Sequence, residues 1–103
     1  MTVEVLYFDG CPGYAELLPR LRKLLASEGI DVEVELRRLE SPEDAEREHF
    51  LGSPTVRIDG EDVDPGAGKR RDFGLECRLY RTDAGLQRTP PEAWIRAALA
   101  SVA

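Results

Sequence analysis

Cysteine and histidine are scarce in this chain of 103 residues, which contains two cysteines and one histidine. Two cysteines far apart in sequence are too few for a disulfide-stabilised scaffold. In a reducing compartment two such thiols serve chemistry more often than structure. The single histidine, His49, lies late in a polar segment, and we interpret it as a solvated surface residue.

The chain also lacks an apolar run long enough to span a membrane, a signal-peptide pattern and an excess of positive charge. Its formal net charge of -6 disfavours binding to nucleic acids or to anionic membranes. We therefore expect a cytoplasmic protein with neither kind of partner. The length, with 42% hydrophobic and 33% charged residues, predicts a single domain over residues 1–103.

The most informative motif is a cysteine between a predicted strand and a predicted helix. Residues 3–8 have the apolar pattern of a buried strand, and residues 12–28 place apolar side chains at helical spacing. Cys11 stands directly before this helix, and Pro12 suits the first helical position. A helix N-terminus favours a thiolate, which is the nucleophile and the soft-metal ligand. The alternative is that Cys11 is a small buried residue that packs like alanine.

The remaining pattern predicts short elements separated by turn signals. An alternating segment suggests an edge strand, Ser41-Pro42-Glu43-Asp44 is typical of a helix start, and Asp59-Gly60 is typical of a two-residue hairpin turn. The predicted elements are a strand over 31–39, a helix from 42 to about 51, strands over 55–58 and 61–63, an extended segment over 77–82 that turns at 83–85, and a last helix. Thr89-Pro90-Pro91-Glu92 predicts a capping box for that helix, with Trp94, Ile95, Ala98, Leu99 and Val102 as its buried stripe.

The predicted order is therefore βαβαββα. A strand–helix–strand start favours a right-handed crossover and a parallel pair, and the hairpin adds an antiparallel pair. The sequence thus predicts an α/β fold with a mixed four-stranded sheet and helices on both faces.

This order, the cysteine after the first strand and the segment Gly52-Ser53-Pro54-Thr55 before the third strand resemble the thioredoxin-like superfamily in its minimal, glutaredoxin-sized form. The resemblance covers about residues 1–66 and the last helix. It implies a thioredoxin-like fold in which Cys11 is the attacking thiol, the Ser53–Pro54 bond is cis, and the Ser53 backbone docks a substrate strand. The substrate-binding residues that it implies are Pro12, Tyr14, Ser53, Pro54 and Thr55.

Two positions depart from the family pattern. The resolving cysteine usually follows the nucleophile by three residues, but here Tyr14 occupies that position, as a core residue or as a hydroxyl beside the sulfur. Asp9 stands before Cys11, where glutaredoxins usually hold the glutathione carboxylate with a basic residue. The hairpin returns the chain toward Cys11, so Cys77 is either its resolving thiol or a structural residue. Arg70, Arg71 and Arg78 are interpreted as solvated, or as binding a thiolate or carboxylate if their loop folds over the site.

Three classes of function follow from these residues. The first is a thiol–disulfide oxidoreductase that uses Cys11 and Cys77, requires no cofactor or metal, and exchanges with a protein or a low-molecular-weight thiol or disulfide. The second is a protein that binds a soft metal such as mercury or copper through thiolates, or a lyase-type mercury-resistance protein. The third is a non-catalytic thioredoxin-fold binding module. The sequence leaves the oligomeric state open.

Overall fold

The computed structural model describes residues 1–102 and is a mixed α/β fold with a four-stranded sheet, a separate two-stranded hairpin and three helices. The helices and strands are β1 (Val3–Tyr7), α1 (Pro12–Ser27), β2 (Val34–Arg38), α2 (Pro42–Arg47), β3 (Thr55–Ile58), β4 (Glu61–Asp62), β5 (Tyr80–Thr82), β6 (Gly85–Gln87) and α3 (Glu92–Ser101). No helix within this range is long and apolar enough to cross a membrane.

The four-stranded sheet has the order β2-β1-β3-β4, with β1 and β2 parallel and the other two pairs antiparallel. The edge position predicted for β2 is confirmed. The predicted turn between β3 and β4 is also confirmed, because Asp59 and Gly60 both have positive φ, as a tight hairpin of this type requires. Leu6 of β1 pairs with Thr55 of β3, so the start of β3 lies beside the end of β1 that leads into α1.

Two hydrophobic clusters cover opposite faces of the sheet. Helices α1 and α3 bury Leu21 and Ile95 against Val5 and Val56 on one face. On the other face, Ala45 of α2 and Phe50 pack against Leu6. The prediction of a mixed sheet with helices on both faces is therefore confirmed.

Helix α2 is shorter than the sequence predicted. It begins as expected, since Ser41 Oγ accepts a hydrogen bond from the Asp44 N–H at 3.0 Å, but it ends at Arg47 rather than near Leu51. His49 has a φ of 54°, which reverses the chain and lets Phe50 and Leu51 enter the core. Burial of these two apolar side chains outweighs one further helical turn. His49 itself is exposed, as expected.

The start and end of α3 also correct the sequence-based prediction. Pro91 is the N-cap residue and makes no side-chain cap bond, so the capping box at Thr89 does not form. Thr89 is instead buried and accepts a hydrogen bond from Arg20 of α1 at 3.4 Å. Ile95 and Leu99 are buried as predicted, whereas Val102, which follows the last residue of α3, is exposed.

Candidate functional site: two thiols beside a cis proline

Cys11 is placed by the sharp change of direction between β1 and α1. Gly10 has a φ of 87°, Cys11 is the extended N-cap residue of α1, and Pro12 takes the first helical position. Cys11 is buried, with 6% of its surface exposed, which agrees with the alternative that it is a small buried residue.

The Ser53–Pro54 bond is cis, as the resemblance implied. The two residues precede β3, next to the N-terminus of α1. Here the Cys11 thiol donates a hydrogen bond to the Ser53 carbonyl oxygen at 3.3 Å. This contact ties the sulfur at the start of α1 to the loop that carries the cis proline.

Cys77 also lies beside Ser53. The two residues form a parallel β-bridge in which the Ser53 N–H donates to the Glu76 carbonyl at 2.8 Å and the Arg78 N–H donates to the Ser53 carbonyl at 2.9 Å. Cys77 is exposed, and neither cysteine is in a disulfide. Partial desolvation raises the pKa of the Cys77 thiol, and the neighbouring Cys11 thiol adds to this shift. The bridge thus brings together two cysteines that lie far apart in the sequence.

The same bridge corrects the prediction that the Ser53 backbone docks a substrate strand. Both backbone hydrogen-bonding groups of Ser53 are used by residues 76 and 78. The chain itself therefore occupies the edge that a substrate would need. Ser53 Oγ is buried and makes no hydrogen bond with the described residues.

The other predicted substrate-binding residues differ in accessibility. Pro12 is exposed beside Cys11, whereas the side chains of Pro54 and Thr55 are buried. The Thr55 hydroxyl donates to the Gly52 carbonyl at 2.7 Å and accepts from Arg78, which ties the loop together. Tyr14 is partly buried and stacks on Tyr7 with ring centroids 3.9 Å apart, as expected of a core residue.

Two glycines allow the segments around the site to approach closely. Gly52 has a φ of 121°, and a Cβ atom there would lie 2.9 Å from Arg78 Cβ and 3.0 Å from the Glu76 carbonyl oxygen. A Cβ at Gly13 would lie 3.0 Å from both Pro54 Cδ and the Arg88 carbonyl oxygen. Any larger residue at either position would push the segments around the thiols apart.

Arg78 is the main site residue that sequence reasoning missed. We interpreted it as solvated, but it is 2% exposed. Its guanidinium donates to Asp62 Oδ2 at 2.7 Å, to Asp64 Oδ2 at 3.1 Å and to Thr55 Oγ1 at 2.9 Å. Two carboxylates and a hydroxyl compensate the desolvation of this charge. Arg70 is partly buried and pairs with Asp72, whereas Arg71 is exposed as expected.

Tyr80 completes the attachment of the Cys77 segment. Its ring lies under the Arg78 guanidinium, 4.4 Å from ring centroid to guanidinium carbon. Its hydroxyl donates to the Pro54 carbonyl at 2.5 Å. Burial raises the pKa of Tyr80 far above its ordinary value. The alternation of Cys77, Arg78, Leu79 and Tyr80 was a signal that Arg78 and Tyr80 share a face.

Two other features bear on ligands. A cleft of about 680 Å³ is lined by residues such as Arg57, Asp62 and Phe73, but by neither cysteine. Residues 1–102 contain no group of three or more His, Cys, Asp or Glu side chains arranged to hold a metal ion. The thiol pair is therefore the candidate site with reactive groups.

Comparison with known proteins gives no matching family model, no match among curated proteins and no match among solved structures. The functional argument therefore depends on the geometry of the site.

Proposed function

We propose that this chain is a thiol–disulfide oxidoreductase-like protein whose working groups are Cys11 and Cys77. The observation that carries the proposal is the position of both residues around Ser53, one through its side chain and the other through its backbone. Two thiols held next to one another can close a disulfide without a large rearrangement of the chain.

The thioredoxin-like assignment is part of this proposal. It is supported by the sheet order, by α1 and α3 on one face with α2 on the other, and by a cis proline beside a cysteine at a helix N-terminus. In our proposal Cys77 replaces the absent cysteine at the Tyr14 position. The cytoplasmic location expected from the sequence fits a pair of thiols that a reducing compartment keeps reduced.

The proposed reaction has two exchange steps. The sequence-based hypothesis assigned the first attack to Cys11, but accessibility supports Cys77 in that step. The Cys77 thiolate attacks one sulfur of an external disulfide, forms a mixed disulfide, and releases the other sulfur as a thiolate that takes up a proton. Cys11 then loses its proton and attacks Cys77, which releases the second partner thiol. Two electrons pass to the partner, and an external dithiol must reduce the resulting Cys11–Cys77 disulfide.

A second candidate is two-coordinate binding of a soft metal ion. The proximity of two free thiols favours it, since thiolates select ions such as Cu(I) and Hg(II). Residues 1–102 supply no metal-ligand cluster of three or more, so the ion would be held by Cys11 and Cys77 alone. In this alternative the thiols bind the metal stoichiometrically and turn over no disulfide.

Trapping of the mixed disulfide tests the proposed reaction. Cys11→Ser should accumulate an adduct on Cys77 with hydroxyethyl disulfide, whereas the wild type should release the partner thiol and lose two free thiols. Cys77→Ser should react much more slowly because Cys11 is buried. A wild type that forms no internal disulfide, yet binds one Cu(I) per chain and loses this binding in both variants, would favour the metal candidate. A chain that does neither would be the non-catalytic binding module.

A further inference from the structure

The segment around Cys77 also shows an alternation of buried and exposed side chains that has no role in the proposed thiol exchange. Along this extended segment Arg78 and Tyr80 are buried, whereas Cys77, Leu79 and Arg81 are exposed. Alternate residues of an extended chain point to opposite sides, so the three exposed side chains lie on one side. Leu79 has 55% of its surface exposed.

Strand β6, which pairs with β5, adds further exposed residues to this side of the chain. Arg81 pairs with Leu86 in the β5–β6 hairpin, and directly paired side chains lie on the same face of a sheet. Leu86 is 60% exposed. Arg88 directly follows β6 and lies against the first turn of α1, where a Cβ atom at Gly13 would be 3.5 Å from Arg88 Cβ. Its positive charge acts on the Cys77 thiol and opposes the rise in the pKa of Cys77 that burial and Cys11 cause. Arg88 therefore lies near this thiol.

We infer that this surface docks an acidic, partly apolar protein segment that carries the disulfide exchanged with Cys77. We call it the thiol face and define it as Cys77, Leu79, Arg81, Leu86 and Arg88. The inference rests on the proposed function and specifies its partner.

The charge and the hydrophobicity of the thiol face both favour an acidic, partly apolar protein segment as its partner. The chain as a whole has a net charge of -6, yet both charged side chains of the thiol face are arginines. The Arg88 guanidinium has only a loose, exposed pair with Glu16, at 3.7 Å, which an incoming carboxylate can replace. A second copy of this acidic chain would bring net repulsion, whereas a segment with acidic residues beside leucine-sized side chains matches both components of the face.

The test compares peptides that differ only in charge. Each five-residue peptide has a central cysteine, activated as a neutral 2-pyridyl disulfide, with a leucine on either side and either two glutamates or two lysines at the ends. Hydroxyethyl disulfide is the neutral reference. The reduced full-length chain should react about tenfold faster with the acidic peptide than with the basic one at low ionic strength, because opposite charges raise the encounter rate. This difference should shrink toward unity in 1 M salt.

Variants assign the effect to the thiol face. Arg81→Glu combined with Arg88→Glu should reverse the order of the two peptides. Lys23→Glu combined with Arg96→Glu makes the same change in net charge on α1 and α3 and should preserve the order. Lys23 is twelve residues along α1 from Cys11, or about 18 Å at the rise of a helix. Leu79→Ser with Leu86→Ser should slow both peptides by a larger factor than it slows hydroxyethyl disulfide.

The outcomes separate this inference from the proposed function. No reaction with hydroxyethyl disulfide would overturn the proposed function, and with it the inference. Normal reaction with that reagent, but equal rates for the two peptides at low salt, would overturn the acidic partner alone. A concentration-dependent dimer that Leu79→Ser with Leu86→Ser dissociates would also overturn it, because a second copy would then occupy the face.

Discussion

Cys11 and Arg78 donate to the same acceptor, the carbonyl oxygen of Ser53, at 3.3 Å from the sulfur and 2.9 Å from the backbone nitrogen. One atom beside a cis proline thus connects the helix N-terminus to the segment that carries Cys77. In this arrangement Cys11 is buried and Cys77 is exposed.

The first prediction concerns the relative reactivity of the thiols. Iodoacetamide should modify Cys77 about tenfold faster than Cys11 in the folded chain, since only Cys77 is accessible. Because its pKa is raised, the Cys77 rate should continue to rise as the pH passes the ordinary thiol value of about 8.5. Mass spectrometry of the tryptic peptides 1–20 and 72–78 measures the two rates separately. In urea the two rates should converge, and faster labelling of Cys11 in the folded state would contradict the account.

The second prediction tests the close approach at Gly52. Gly52→Ala should destabilise the fold by about 1–3 kcal/mol and increase labelling of Cys11, because the new Cβ would collide with Arg78 and Glu76. Gly85→Ala is the matched control, since Gly85 has a φ of 101° but a Cβ atom there would meet nothing within 4 Å. Urea unfolding and alkylation rates measure both effects. Equal destabilisation by the two substitutions would show that φ, rather than contact, is responsible.

The third prediction concerns the buried charge. Arg78→Met should destabilise the fold by about 3 kcal/mol, because it leaves the Asp62 and Asp64 carboxylates without their shared partner. Arg81→Met, at an exposed position of the next strand, should change stability by less than about 0.5 kcal/mol. Thermal and urea unfolding provide the comparison. A similar small effect of both substitutions would mean that the Arg78 network does not hold the Cys77 segment.

The fourth prediction concerns alkaline pH. Burial raises the pKa of Tyr80, so the unfolded chain loses this proton above about pH 10 while the folded chain retains it. The stabilisation is complete below that pH and decreases as the pH rises above it. Tyr80→Phe should cost about 1 kcal/mol at neutral pH, through loss of the bond to Pro54, and should remove this decrease. Unfolding in urea at pH 8 and pH 11 measures it. Parallel curves for the wild type and Tyr80→Phe would refute the prediction.

Local signals explain which parts of the fold could be predicted from the sequence. Strand β1, helix α1 and the Asp59-Gly60 turn follow from periodicity, a first-turn proline and a dipeptide that accepts positive φ. The end of α2 could not be predicted, because Phe50 leaves the helix to fill the second face of the sheet. Where α2 ends depends on how Phe50 packs against β1, and the sequence around α2 gives no information about that packing.

The candidate site also has some features that the sequence predicted and others that it did not. The sequence pattern predicted Cys11 at a helix N-terminus, and the resemblance implied the cis bond before Pro54. The return of the chain after the hairpin predicted the approach of Cys77. The occupied backbone of Ser53 and the burial of Arg78 depend on pairing between residues far apart in sequence. Neither of these two features produces a pattern in the nearby sequence from which it could be predicted.

The most direct test of the central claim is to map the disulfide formed by the wild-type chain under mild oxidation. We expect tryptic peptides 1–20 and 72–78 to be recovered as one linked species, two hydrogen atoms lighter than their sum, from a protein with no disulfide between chains. Dithiothreitol should separate the two peptides, and Cys11→Ser and Cys77→Ser should each prevent the link. Recovery of only intermolecular dimers, or of sulfenic acid on one cysteine, would contradict a redox cycle between Cys11 and Cys77.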